Sequence, residues 1–294
     1  MTTRLEQIPG PNRDPTTPRI ALPRMACDSH VHVFGPHDRF PYAADRTFTP
    51  EDVPLEDLIA LHSRLGLDRA IIVQSLCYGS DHSALTDALI RGAGRYRGVA
   101  LVDAQTTPRQ IEEWHDLGMR GARIHFTSPD SSPAPDDLER IVDLIGPHGW
   151  HLDVHTIGEG IIRFSGMFDS IPLRIVIDHM GRLRLDSADF SEQKGLLLGL
   201  LDTGQVWVKL SAADRIARFP PSLDDALSLG RELFLRRKNR CVWGTDFPHP
   251  NVDGFMPDDG KLVDGLLSIC DTPEDLRMLL VSNPETCFDF PPPA

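Results

Sequence analysis

Cys27-Asp28-Ser29-His30-Val31-His32-Val33-Phe34-Gly35-Pro36 forms the first strand-like run of this 294-residue chain and its exit, and it separates two α/β architectures. In a doubly wound open sheet, the first strand runs into a Gly-x-Gly-x-x-Gly turn whose glycines let the backbone approach a phosphate. Here the strand ends in His-x-His and continues into Phe34-Gly35-Pro36 with no such spacing. Strand side chains alternate faces with period two, so His30 and His32 point the same way and can reach one ion or one substrate. Polar residues at the C-terminal end of a strand are what a (β/α)8 barrel carries on its catalytic rim.

Working outward, eight β-rich runs follow one another: Met25–His32, Arg69–Gln74, Tyr96–Val102, Gly121–Phe126, His151–His155, Arg174–Asp178, Val206–Leu210 and Arg240–Thr245. Amphipathic segments separate them at Leu55–Leu65, Asp81–Arg91, Pro108–Leu117, Asp136–Ile145, Gly158–Phe168, Asp189–Leu201 and Leu223–Leu235; a last helical region starts near Asp258 and resumes at Thr272. Eight βα units predict a (β/α)8 TIM barrel over residues 25–294. Runs such as Ala70-Ile71-Ile72-Val73 are apolar throughout, as strands are when helices cover one face and a barrel core the other. Residues 1–24, with Pro9, Pro11, Pro15, Pro18 and Pro23 and no apolar h-region, read as an extended arm rather than a secretory signal. Such an arm could wrap a neighbouring copy in a homo-oligomer or remain disordered. The long segment from Val33 to Pro54 is expected to form a binding loop on the rim.

Composition narrows the function. With 30 Lys and Arg against 43 Asp and Glu, the net charge of −13 argues against nucleic acid and anionic membranes as partners. Any anionic ligand must be held by local arginines. Five scattered cysteines without a Cys-x-x-Cys pair indicate neither a disulfide framework nor a zinc cluster, and a reducing cytoplasm is the expected home. No stretch is long or apolar enough to span a membrane.

Polar residues recur at the expected strand ends: His30 and His32 on the first, Arg123 and His125 on the fourth, His155 on the fifth, His179 on the sixth and Asp246 on the eighth. A single strand-end histidine is commonly structural, but this joint pattern suits one divalent metal, with zinc favoured by an imidazole and carboxylate set. His30, His32, His155 and Asp246 are the expected ligands. His179 would stand beside the water or carbonyl, Asp246 could take a proton from water, and a protonated His179 could support an oxyanion. Asp178, adjacent to His179, is expected to face the helix layer; Asp28 and Asp153 are candidates for orienting the imidazoles. Arg123, Arg182 and Arg215 suggest capture of a carboxylate or sulfonate.

With His30-Val-His32, Val176-Ile-Asp-His179-Met-Gly-Arg182 and Trp243-Gly-Thr-Asp246-Phe-Pro-His249-Pro-Asn251 in order, the chain resembles the amidohydrolase superfamily from about Ala26 to Phe288. Within it, the chain is most similar to the 2-pyrone-4,6-dicarboxylate lactonase and 4-sulfomuconolactone hydrolase group. The resemblance implies water attack on a small anionic lactone from aromatic-compound breakdown, with His30, His32, His179 and Asp246 as catalytic positions. It also implies Arg123, Arg182 and Arg215 as substrate contacts; His125, on the same face as Arg123, is expected to join them. The pyrone-dicarboxylate enzymes work without a metal and have a tyrosine where this chain has His155, the ligand used by metal-dependent relatives. They also carry an arginine shortly after strand four, where this chain reads Thr127-Ser-Pro129-Asp-Ser-Ser132, a tyrosine at the position of Phe48 and a serine at that of Leu76. These departures favour a metal-dependent hydrolase of a 4-sulfomuconolactone type of substrate. The alternatives are a metal-independent pyrone-dicarboxylate lactonase, a non-oxidative decarboxylase of the same superfamily, and a non-catalytic binding protein on the same barrel.

Overall fold

The computed structural model describes residues 7–127, 132–252 and 254–291. Eight parallel strands stand in the order of the chain: β1 (Cys27–Val31), β2 (Arg69–Val73), β3 (Tyr96–Leu101), β4 (Met119–Phe126), β5 (His151–Thr156), β6 (Ile175–Ile177), β7 (Val206–Leu210) and β8 (Cys241–Trp243). Beyond the strand ends, Asp246 N–H donates to the His30 carbonyl (2.9 Å) and His32 N–H to the Phe247 carbonyl (2.7 Å), which draws the eighth strand against the first. Gly244 sits at this seam: a Cβ there would lie 2.6 Å from the backbone nitrogen of His30, so no other residue lets the two strands meet this closely. The result is a TIM barrel.

Helices α1 (Leu55–Leu65), α2 (Ser83–Gly92), α3 (Pro108–Asp116), α4 (Pro135–Ile145), α5 (Glu159–Phe168), α6 (Phe190–Asp202) and α7 (Asp224–Arg236) follow the first seven strands. Their ends obey local chemistry. Helix α1 has Glu56 and Asp57 in its first turn and stops at Gly66, whose φ of 81° is left-handed; α3 opens on a reciprocal Thr107/Gln110 capping box. After β8 come α8 (Asp259–Asp264), α9 (Leu266–Ile269), α10 (Pro273–Arg277), a π turn and α11 (Asn283–Phe288).

Alternation along the strands sorts two cores. Ala70, Ile72, Ile175, Ile177, Val206 and Val208 pack outward under the helices, while Ile71, Val73, Val176, Trp207 and Val242 fill the barrel with Cys287 and Phe288. The described part of the N-terminal segment lies along its own barrel: Arg13 pairs with Asp57 on α1 (2.7 Å), Thr16 bonds Asp258 at the start of α8 (3.0 Å) and Arg19 bonds Asp264 (2.7 Å). The position of the arginine expected after β4 falls partly in residues 128–131, outside the described residues.

Several strands are shorter than their apolar patterns suggest, and this positions the site. Strand β6 ends at Ile177 and β8 at Trp243, so His179 and Asp246 stand on the exits, at left-handed φ values of 52° and 70°. Asp178 continues the inward register of Val176, and the left-handed turn then brings His179 inward as well. The expectation that Asp178 faces the helices is therefore wrong, because strict alternation holds only to the end of the strand at Ile177.

Candidate active site

Three imidazoles converge on one carboxylate. His30 Nε2 lies 3.7 Å from Asp246 Oδ1, and His32 Nε2 and His179 Nε2 each lie 3.8 Å from that oxygen. All four residues are buried at the rim. The far side of each ring is anchored: His32 Nδ1 donates to the Val73 carbonyl (2.7 Å), His30 Nδ1 bonds Asp178 Oδ1 (3.1 Å), and His179 Nδ1 bonds Ser211 Oγ (2.8 Å). Because a carbonyl only accepts, His32 carries its proton on Nδ1 and turns a bare Nε2 lone pair toward Asp246, whereas His30 Nδ1 lies between the Asp178 carboxylate and the Lys209 ammonium (3.2 Å). His30 Nε2 is buried without a hydrogen-bond partner.

This arrangement fits a divalent cation. A buried, unpartnered lone pair is costly, and a ligating histidine generally gives its other N–H to a carboxylate or carbonyl. His30, His32 and Asp246 bring one ligand atom each within 4.8 Å of one another, and their nitrogen and oxygen donors suit zinc. His30, Asp178 and His179 meet the same spacing. There, however, cations already occupy the carboxylate: Lys209 Nζ is 3.0 Å from Asp178 Oδ1 and Arg123 Nη2 donates to Asp178 Oδ2 at 2.8 Å.

Lys209, on β7, escaped the sequence reading. Its ammonium is fully buried against Asp153, Asp178 and His30 Nδ1. The signal was present, since a lysine inside Val206-Trp-Val-Lys-Leu210 can be buried only if it is paired. Burial alone would raise the pKa of Asp178, but Lys209, His30 and Arg123 hold it well below the carboxylate range. Asp153 binds Lys209, and Asp28 binds the Thr245 N–H (2.9 Å) and hydroxyl (2.6 Å); neither reaches a rim imidazole, and Asp178 does so instead.

Electrostatics separate base from donors. Burial raises the pKa of Asp246, although Arg215 pulls it down. Burial pushes His32 down to about 3 and holds His179 well below the usual histidine value, with the charges of Arg215 and Arg123 adding to the effect. Burial and these neighbouring charges favour the neutral ring of His179 over the protonated one expected from the sequence.

Above this layer a cavity of about 330 Å³ opens, lined by Arg123, His125, His155, Arg182 and Arg215 together with Phe48 and Leu76. Two of the arginines are engaged: Arg123 with Asp178, and Arg215 with Asp246 Oδ2 through Nε (3.1 Å) and Nη2 (3.0 Å). The Arg182 side chain has no hydrogen-bond partner among the described residues, and its Nε is buried. His125 stands beside His155 with ring centroids 5.2 Å apart, and burial pushes its pKa to about 3. His155 is not part of the converging set; its Nδ1 lies 3.2 Å from Arg123 Nη2.

Comparison with known proteins gives this geometry a context. Residues 27–290 match the family model described as amidohydrolase. The chain is 36% identical to a 2-pyrone-4,6-dicarboxylate hydrolase of Comamonas testosteroni, over 92% of each chain. It is 32% identical to a 4-sulfomuconolactone hydrolase of Hydrogenophaga intermedia, over 95% of this chain and 93% of the relative. An apo crystal structure from Agrobacterium tumefaciens superposes with a TM-score of 0.79 at 26% identity, covering 94% of this chain and all of the other.

Proposed function

Because the chain belongs to the amidohydrolase family, we propose that it is a metal-dependent lactone hydrolase opening a small carboxylate- or sulfonate-bearing lactone in aromatic-compound breakdown. The observation that carries this reading is the convergence of His30, His32 and His179 Nε2 on Asp246 Oδ1 beneath an arginine-lined cavity. His30, His32 and Asp246 would hold the ion. A divalent cation there supplies polarisation of the ester carbonyl and a more acidic water, as zinc does in hydrolases.

The remaining work falls to the chain. Arg182, with donors unspent, would take the anionic substituent, and the flanking guanidinium groups of Arg123 and Arg215 make the cavity favourable to a negative ligand. Asp246, its pKa raised by burial, suits a base that accepts the proton of the attacking water. As the water oxygen bonds to the carbonyl carbon and the ring C–O bond breaks, that proton passes to the ring oxygen, and the product is an open hydroxy acid. Lactone plus water balances without a further reactant.

The test is metal analysis of the protein as isolated, paired with absorbance assays on 4-sulfomuconolactone and 2-pyrone-4,6-dicarboxylate. Stoichiometric metal and turnover of an anionic lactone are expected; metal-free protein that consumes neither compound would sink the reading. A second reading, a metal-independent pyrone-dicarboxylate lactonase, is favoured by the 36% identity to the Comamonas enzyme and by the position of His155 outside the converging set. Turnover of the pyrone that survives chelation would select it.

A further inference from the structure

His155 differs from the rim histidines in what holds its ring. The Arg123 Nη2 amino group has two hydrogens; one goes to Asp178 Oδ2 at 2.8 Å, and the other points to His155 Nδ1 at 3.2 Å. A guanidinium is a donor only, so Nδ1 must accept. Asp178 Oδ2 is 3.9 Å from that nitrogen, too far to take a proton from it in a hydrogen bond. A second positive charge beside a largely buried guanidinium is unfavourable, so the ring is neutral, and a neutral imidazole that accepts at Nδ1 carries its proton on Nε2. That nitrogen makes no hydrogen bond among the described residues, and the residue lines the cavity.

The tautomer decides the chemistry. His32 presents a lone pair, because an acceptor alone holds its Nδ1. His155 presents an N–H, because a donor holds its Nδ1. A metal ligand needs the former, whereas a group that stabilises negative charge on a reacting oxygen needs the latter.

We propose that His155 is a catalytic hydrogen-bond donor to the lactone rather than a metal ligand, offering Nε2–H to the substrate oxygen that gains negative charge as the ring opens. Arg123 is then a positioning residue: it fixes both the orientation and the tautomer of His155 while its charge is spent on Asp178. This assignment rests on the lactonase reading for its substrate, but not for its tautomer.

Side-chain nitrogen–proton correlation spectra of the wild-type protein, with His155 assigned through His155→Gln, test the tautomer directly. The Nε2–H pattern is expected, and an Nδ1–H pattern overturns the proposal. Zinc affinity, read by chelator competition, should change by less than about threefold in His155→Ala, whereas loss of a true ligand would weaken it far more; a fall of tenfold or greater overturns the assignment. With 4-sulfomuconolactone or 2-pyrone-4,6-dicarboxylate as substrate, His155→Ala should lower kcat by about 10²- to 10³-fold, the usual consequence of removing an oxyanion donor. His155→Gln should recover part of the loss through its amide N–H, and an unchanged kcat in His155→Ala overturns the proposal. Should neither lactone be turned over, the lactonase reading fails while the spectrum and the zinc titration still decide the role of His155. Should the alanine variant not fold, His155→Gln and the wild-type spectrum carry the same decision.

Discussion

The ends of β1 and β5 present the same residue type in opposite chemical states. At β1, His32 leans on a carbonyl, so its inner nitrogen is bare; at β5, His155 leans on a guanidinium, so its inner nitrogen is protonated. The difference lies in the partner at Nδ1. Arg123 and Asp178 are bonded to each other, and from behind the rim Arg123 holds His155 while Asp178 holds His30. A strand-end histidine is therefore assigned a role by the group behind it, not by its place on the rim.

The sharpest way to break this contrast is at Asp246, where the β1 pair converges. Asp246→Ala should lower kcat by about 10³-fold or more with the fold retained by circular dichroism, as expected for loss of a general base. A variant within tenfold of wild type would remove Asp246 from the chemistry.

Metal affinity separates the two ends next. Zinc should raise the Tm of wild type and of His155→Ala, because a ligand that binds only the native state stabilises it by mass action. In His32→Ala the increase should vanish. Asp178→Asn, which leaves the ligands in place but weakens the support of His30, should cost about 10- to 100-fold in zinc affinity. Equal losses in His32→Ala and His155→Ala would erase the distinction.

Much of this was legible in the sequence. Eight apolar runs with helical spacers give the barrel, and helix α1 falls on the amphipathic segment Leu55–Leu65, because strand and helix periods are local properties. His30, His32, His179 and Asp246 read as strand-end residues, and they meet in space. What lies behind them was not legible, because it depends on where strands stop. Alternation alone puts Asp178 on the wrong face, since a left-handed residue ends it at His179. The engagement of Arg123 and Arg215 by carboxylates is a contact between distant strands, and no spacing along the chain encodes it. Lys209 is the exception: a lone charge in an apolar strand signals a buried pair, although it is not among the site residues expected from the sequence.

The smallest effect concerns acid stability, and it reaches both ends of the comparison. Burial pushes His32 and His125 to about 3 and lowers His30, His155 and His179 well below the ordinary value. For these groups the folded pKa lies below the unfolded value of about 6.5, so in the window between them the unfolded chain binds protons that the folded chain refuses. Stability must then fall as pH drops below about 6.5, before ordinary carboxylates begin to titrate. Asp178 contributes in the opposite region: its depressed pKa gives stability that persists through this window and is lost only in stronger acid. Replacing one cavity-lining histidine isolates its share, and His125→Phe should make the dependence of unfolding free energy on pH between about 6 and 4 shallower by up to about 1.4 kcal/mol per pH unit. Denaturant titrations at several pH values read this slope. Saturating zinc should leave the His125→Phe difference intact and should not relieve the acid sensitivity that comes from His30 and His32, because a metal bound at Nε2 keeps the proton off the folded rings while the unfolded chain still takes it up. A slope unchanged by His125→Phe would mean that this histidine titrates normally, and that the β4 and β5 ends are better hydrated than their burial implies.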